Sequence, residues 1–90
     1  HNAVNRQTIE GKPEKGWYPE HRVSLDTAFA AYTSNGAYAS FEEKIKGKIT
    51  AGMLADLVVL DKNPFAVAPR DLFKLQVEKT IFDGKIIFER

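Results

Sequence analysis

The stretch Gly47 to Asp61, G-K-I-T-A-G-M-L-A-D-L-V-V-L-D, constrains this chain more than any other. Leu57-Val58-Val59-Leu60 is apolar at four consecutive positions, so a strand there is apolar on both faces of its pleat and calls for cover on both sides. Gly47 and Gly52 bracket the residues before it, and glycine readily takes the positive φ that turns need. The pattern predicts a short strand near Lys48 and Ile49, a tight turn, and then a buried strand. None of these residue types is a reactive centre.

Upstream, Ala3 and Val4 read as the tail of a helix, and Glu10 to His21 reads as an irregular loop carrying two prolines and two glycines. Trp17 and Tyr18 are the expected anchors of that loop, packing their rings on a neighbouring surface; an aromatic platform for substrate is the alternative. Ser24 is a good helix N-cap, with Asp26 in the first turn. Leu25, Ala28, Phe29 and Tyr32 then repeat at helical spacing. Thr33-Ser34-Asn35-Gly36 is expected to end or kink that helix by a left-handed residue, and a second helix is expected over about 37–43, with Tyr38, Phe41 and Ile45 on one side.

Downstream, Lys62-Asn63-Pro64 marks a turn, and Asp71-Leu72-Phe73 suits one helical turn. Val77 to Phe82, Asp83-Gly84 and Lys85 to Glu89 form a hairpin signal with a type I′ turn. Simple alternation sets Ile81 opposite Ile86 and Lys79 opposite Phe88, with Val77, Ile81, Ile86 and Phe88 on one core face. The expected class is α+β: two or three helices followed by about four β-strands.

A chain of 90 residues is one domain or part of one, and at this size it buries only about two-thirds of its unfolded surface. With 13 basic and 12 acidic residues the net charge is +1, which gives no electrostatic case for nucleic acid or an anionic membrane. There are no cysteines, hence no disulfide framework, thiolate nucleophile or cysteine metal site, a composition that suits a cytoplasmic location. No apolar run nears the roughly 20 residues of a membrane helix. The first residue is His1 rather than methionine, so a piece of a longer protein is expected.

A catalytic metal needs three or four converging ligands. The only histidines are His1, at the terminus, and His21, in the loop, with no H-x-H and no H-E-x-x-H, so both read as plain surface histidines. Asp56 and Asp61 flank the apolar strand; being five apart they point to opposite faces, which suits backbone hydrogen bonds at strand ends better than a shared substrate. Ser24, Ser34 and Ser40 lack the nucleophile-elbow setting, and the glycines spell no phosphate loop. No catalytic, cofactor-binding or metal residue is therefore assigned.

Taken together, the Gly47–Asp61 stretch resembles the C-terminal signature of the amidohydrolase superfamily, and S-L-D-T-A-F-A-A-Y-T-S-N-G-A-Y-A-S-F-E-E before it resembles the family 3 branch. The closing T-I-F-D-G-K-I-I-F-E and the loop G-W-Y-P-E-H-R are similar to that branch as well, so the likeness spans about residues 3–89. The resemblance implies a (β/α)8 barrel holding one or two divalent metals, usually zinc, beside a small β-sandwich. It also implies a metal-activated water that hydrolyses non-peptide carbon–nitrogen bonds. The family's ligand motifs do not occur among these residues. The resemblance thus implies a C-terminal structural module without catalysis of its own: residues 1–46 as helices and loop on the barrel, residues 47–90 as half of the sandwich. Its expected partners are the N-terminal and barrel parts of the same protein, and without them the exposed strand edges are expected to drive self-association. The competing reading is a stand-alone β-rich binding or oligomerisation domain that uses Trp17, Tyr18 and Phe65 as its contact surface.

Overall fold

The computed structural model describes residues 1–90. Helix α1 (Asn2–Asn5) ends at Arg6, which takes a left-handed conformation at φ 55°. The loop that follows is fastened by side chains reaching backbone carbonyls: Arg6 Nε donates to Trp17 O at 2.9 Å, Gln7 Nε2 to Glu14 O at 2.8 Å, and Arg22 to Lys15 O at 2.9 Å. Trp17, expected as a buried anchor, is 61% exposed and packs edge-on against Tyr18 at 4.8 Å instead. The loop is therefore held chiefly by hydrogen bonds and not by its rings. A short 3-10 turn, Pro19–His21, closes it.

Helix α2 (Leu25–Tyr32) starts as expected: Ser24 Oγ accepts from Thr27 N at 3.1 Å and satisfies one of the free amides of the first turn. It ends within the expected Thr33–Gly36 stretch, but by a different device: no left-handed residue breaks it, and Thr33 does so at φ −123° and ψ −96°. Its hydroxyl donates back to Phe29 O at 2.6 Å, the local competition with helical bonding that threonine offers. Helix α3 (Ser34–Ala39) resumes at once, three residues earlier than predicted, and Asn35 and Gly36 lie inside it. It stops at Phe41, whose φ is 62°. Phe41 N donates to Tyr38 O at 3.1 Å and Glu42 N to Ala37 O at 2.8 Å, the paired bonds of a Schellman ending. The side chains predicted to share one helical side, Tyr38, Phe41 and Ile45, do not line up because the helix ends at Ala39, and all three are exposed.

Residues 47–56 are irregular, with a turn at Ala51–Gly52, and form no strand of the kind predicted near Lys48 and Ile49; Gly47 and Gly52 sit at φ 99° and 92°, outside any strand geometry. Three strands form one antiparallel sheet in the order β1 (Leu57–Leu60), β2 (Val77–Phe82), β3 (Lys85–Glu89). A 3-10 turn over Pro69–Lys74 covers the predicted Asp71-Leu72-Phe73 turn, and Asn5 Nδ2 ties it to α1 by donating to Pro69 O at 2.7 Å. The hairpin turns at Asp83 and Gly84, both at positive φ, as the sequence predicts.

The register departs from simple alternation at two irregularities. Ile81 does face Ile86, but Lys79 faces Glu89, and Thr80 faces Phe88. An extra residue on β3 turns Phe88 away from Ile81 and Ile86, and a second irregularity sets Val77 opposite Leu60. The four residues expected on one face are thereby split between two. In exchange Lys79 Nζ gains Glu89 Oε2 at 3.3 Å across the strands.

Only Ala37 and Leu72 are buried, and both central valines of β1, Val58 and Val59, are exposed. The accessible surface is 7036 Å². A folded monomer of 10.1 kDa exposes about 5,300 Å² on the general scaling, so the excess is roughly 1,700 Å². The radius of gyration, 15.0 Å, likewise exceeds the ~12 Å of a compact domain of this length.

Candidate functional site

The two aspartates flanking β1 have the role their spacing suggests. Asp56 Oδ1 accepts from Asp83 N at 2.9 Å, and Gly84 N donates to Ala55 O at 3.0 Å, so the hairpin turn is pinned to the start of β1. Asp61 Oδ1 accepts from Gln76 N at 3.0 Å while Asp61 N donates to Gln76 O at 2.9 Å. Each carboxylate thus satisfies backbone at a strand end, where the ladder leaves amides free. Ser24 is spent on its cap, and Ser40 Oγ donates to Ala37 O at 3.1 Å.

His1 Nε2 lies 3.1 Å from Thr8 O, and its ring meets Phe73 edge-on at 5.4 Å. His21 lies 6.1 Å from Tyr18. No three His, Asp or Glu side chains converge, so the donor set for a divalent metal does not fit the residues of this chain. Trp17 and Tyr18 cluster with Arg6, whose guanidinium sits 5.1 Å from the Trp17 ring. Phe65 packs elsewhere, 5.7 Å from Phe29. The three aromatics proposed as one contact surface thus belong to two separate contacts.

An open groove of about 1110 Å³ lies between α2, α3 and β1, lined by Phe29, Tyr32, Ala37, Ile49, Leu57 and Val58 among others. Its floor is set by Gly47. A Cβ there would lie 2.8 Å from Ala37 Cβ and 3.2 Å from Ser34 Cα, so only glycine lets the chain pass this close to α3. Glu42 and Lys46 brace the approach through an ion pair of 3.0 Å. The Lys46 ammonium, by its hydrogen bond and its charge, holds the Glu42 carboxyl below the usual glutamate range. The groove presents apolar surface and no convergent acid, base or nucleophile.

The model of an amidohydrolase family, family 3, matches residues 1–88. The chain belongs to that family. The N-substituted formamide deformylase of Arthrobacter pascens is 41% identical over 88 residues, covering 98% of this chain and 16% of the relative. The protein YtcJ of Bacillus subtilis (strain 168) is 40% identical over 89 residues, 99% of this chain and 17% of its own length. Among solved structures, an amidohydrolase from Thermotoga maritima superposes with a TM-score of 0.66 at 29% identity, over 80% of this chain and 17% of the other. This amidohydrolase chain therefore spans about one-sixth of the length of the relatives it matches.

Sequence reasoning missed Phe41, which it placed inside a helix. In the structure this ring is 92% exposed on a left-handed backbone. No signal in the sequence marked it, because Ile45 four residues on continues the apolar spacing of a helix.

Proposed function

We propose that the chain is the C-terminal structural module of a metal-dependent amidohydrolase that hydrolyses non-peptide carbon–nitrogen bonds. Residues 1–46 pack on a barrel carried elsewhere in the same protein, and residues 47–90 complete a small β-sandwich with strands from its N-terminal part. The metal, a divalent ion of zinc type, polarises water in that barrel. No residue of this chain ligates it. In the complete protein the stretch 47–56 lies against added strands, and the apolar faces of β1 are covered.

The observation that carries this reading is the family match over residues 1–88 in a chain whose side chains gather no metal site. The excess surface and the exposed Val58 and Val59 support it, because a sheet apolar on both faces needs layers on both sides. The test is to purify the full-length protein and the ninety-residue chain side by side. Stoichiometric zinc or a related divalent ion, and chelator-sensitive hydrolysis of an N-substituted amide, are expected only for the full-length protein. Turnover by the ninety residues alone, or a transition ion held by them, would overturn the reading. In isolation, the open edge of β3 leads the chain to self-associate.

A further inference from the structure

We propose that Phe41 is a preorganised anchor, a ring that inserts into an apolar pocket on the rest of the full-length polypeptide. This rests on the reading that the chain is one part of a longer amidohydrolase. Three independent features meet at this residue. First, Phe41 occupies the position after a helix that ordinarily belongs to glycine, at φ 62°. For an L residue with a bulky side chain that conformation is disfavoured by about five- to thirtyfold. Second, the ring is 92% exposed, so within these ninety residues no packing offsets the cost. Third, the backbone around it is fully engaged. Ser40 N, Phe41 N and Glu42 N donate to Gly36 O, Tyr38 O and Ala37 O, and the Glu42–Lys46 ion pair closes the next turn. A backbone held in this way fixes the direction of the Phe41 Cα–Cβ bond, so docking needs no rearrangement of the main chain, a form of preorganisation that favours single aromatic anchors at interfaces.

The occupant follows from size. The relatives are about six times as long as this chain, so most of their residues lie outside it. The surface excess of roughly 1,700 Å² is about twice what a standard interface covers on one partner, a match to extensive docking within one polypeptide. Phe41 would be a docking residue and not a catalytic one.

The experiment is made on the full-length protein with F41L, F41G and F41N. Leucine keeps the strain and the apolar bulk; glycine and asparagine accept the left-handed backbone and remove the ring. Insertion predicts the stability order wild type, then F41L, then F41G and F41N, with F41G lowering the folded-to-unfolded ratio at least about tenfold in urea. An exposed ring predicts the opposite order, with F41G and F41N at or above wild type, and that result would refute the assignment. Because F41G may misfold for other reasons, a photoreactive benzoylphenylalanine at position 41 supplies a second reading. A crosslink within one polypeptide to a segment outside these ninety residues supports insertion; a crosslink between copies, or none, overturns it. A full-length enzyme that is active while F41G is as stable as wild type sinks this inference alone. A longer protein without a metal-bearing body sinks the underlying reading with it.

Discussion

Substituting Gly47 by alanine tests whether the turn before β1 is held by close approach as well as by backbone conformation. At φ 99° an L side chain costs about 1–2 kcal/mol. The added methyl group also meets Ala37 Cβ at 2.8 Å and Thr33 O at 3.2 Å. Ala37 is 4% exposed and lies within α3, so it has nowhere to retreat, and overpacking of this kind costs about 1–3 kcal/mol more. Gly52 is an internal control: its φ is 92°, yet nothing lies within 4 Å of a Cβ placed on it. G52A should therefore lose only the conformational part, about 1–2 kcal/mol, and G47A about 2–5 kcal/mol. Urea unfolding followed by circular dichroism, in the full-length protein, reads both. Equal losses for the two variants, within about 0.5 kcal/mol, would refute the steric part of the reasoning.

Three further outcomes are expected. D56A frees the Asp83 amide from its carboxylate and should cost about 0.5–1.5 kcal/mol, with faster hydrogen exchange at Asp83 and little change at Gln76, which depends on Asp61. The Glu42 carboxyl has a depressed pKa in the folded state, so its contribution is complete above the unfolded-state value and is lost as pH falls through the lower folded-state value. E42Q should accordingly lower stability slightly at neutral pH, with the difference from wild type vanishing as pH falls through the lower folded-state value, and a profile parallel to wild type across that range would count against the ion pair. For the isolated chain, light scattering should rise with concentration and fall in I87K, which places a charge on the open edge strand β3; strictly monomeric behaviour of the unaltered chain at high concentration argues against edge pairing.

What could be read from the residues divides along a physical line. Ser24, Asp56, Asp61 and the Asp83-Gly84 turn act on backbone a few residues away or at a fixed strand end, so their types and spacings were enough to assign them. The hairpin register was not legible beyond its first pair, because a single inserted residue reverses every later face, and the Lys79–Glu89 pair that accompanies it is indistinguishable from ordinary surface charge. The helix break fell within the expected Thr33–Gly36 stretch, but its cause was not legible. A left-handed Asn or Gly was expected, whereas Thr33 ends α2 with a hydroxyl bond to Phe29 O that competes with the helical ladder, and α3 starts at once. The apolar run of β1 was legible as a two-faced strand, while the layers it needs are not among these residues.

That last mismatch sets the order of causes in this chain. Backbone bonds close its turns and side-chain carboxylates its strand ends, α2 alone carries a side-chain N-cap, and no buried side-chain polar atom is left without a partner. Such bonds specify form but add little net stability, since the unfolded chain bonds equally well to water. Net stability in a domain comes mainly from apolar burial, and here Ala37 and Leu72 alone are buried. Specific local geometry with almost no enclosed core is what the proposed structural module calls for. Under that proposal the apolar groove beside Gly47, the uncovered valines of β1 and the exposed Phe41 ring answer to one requirement: each gains its stabilising contacts when the module is docked.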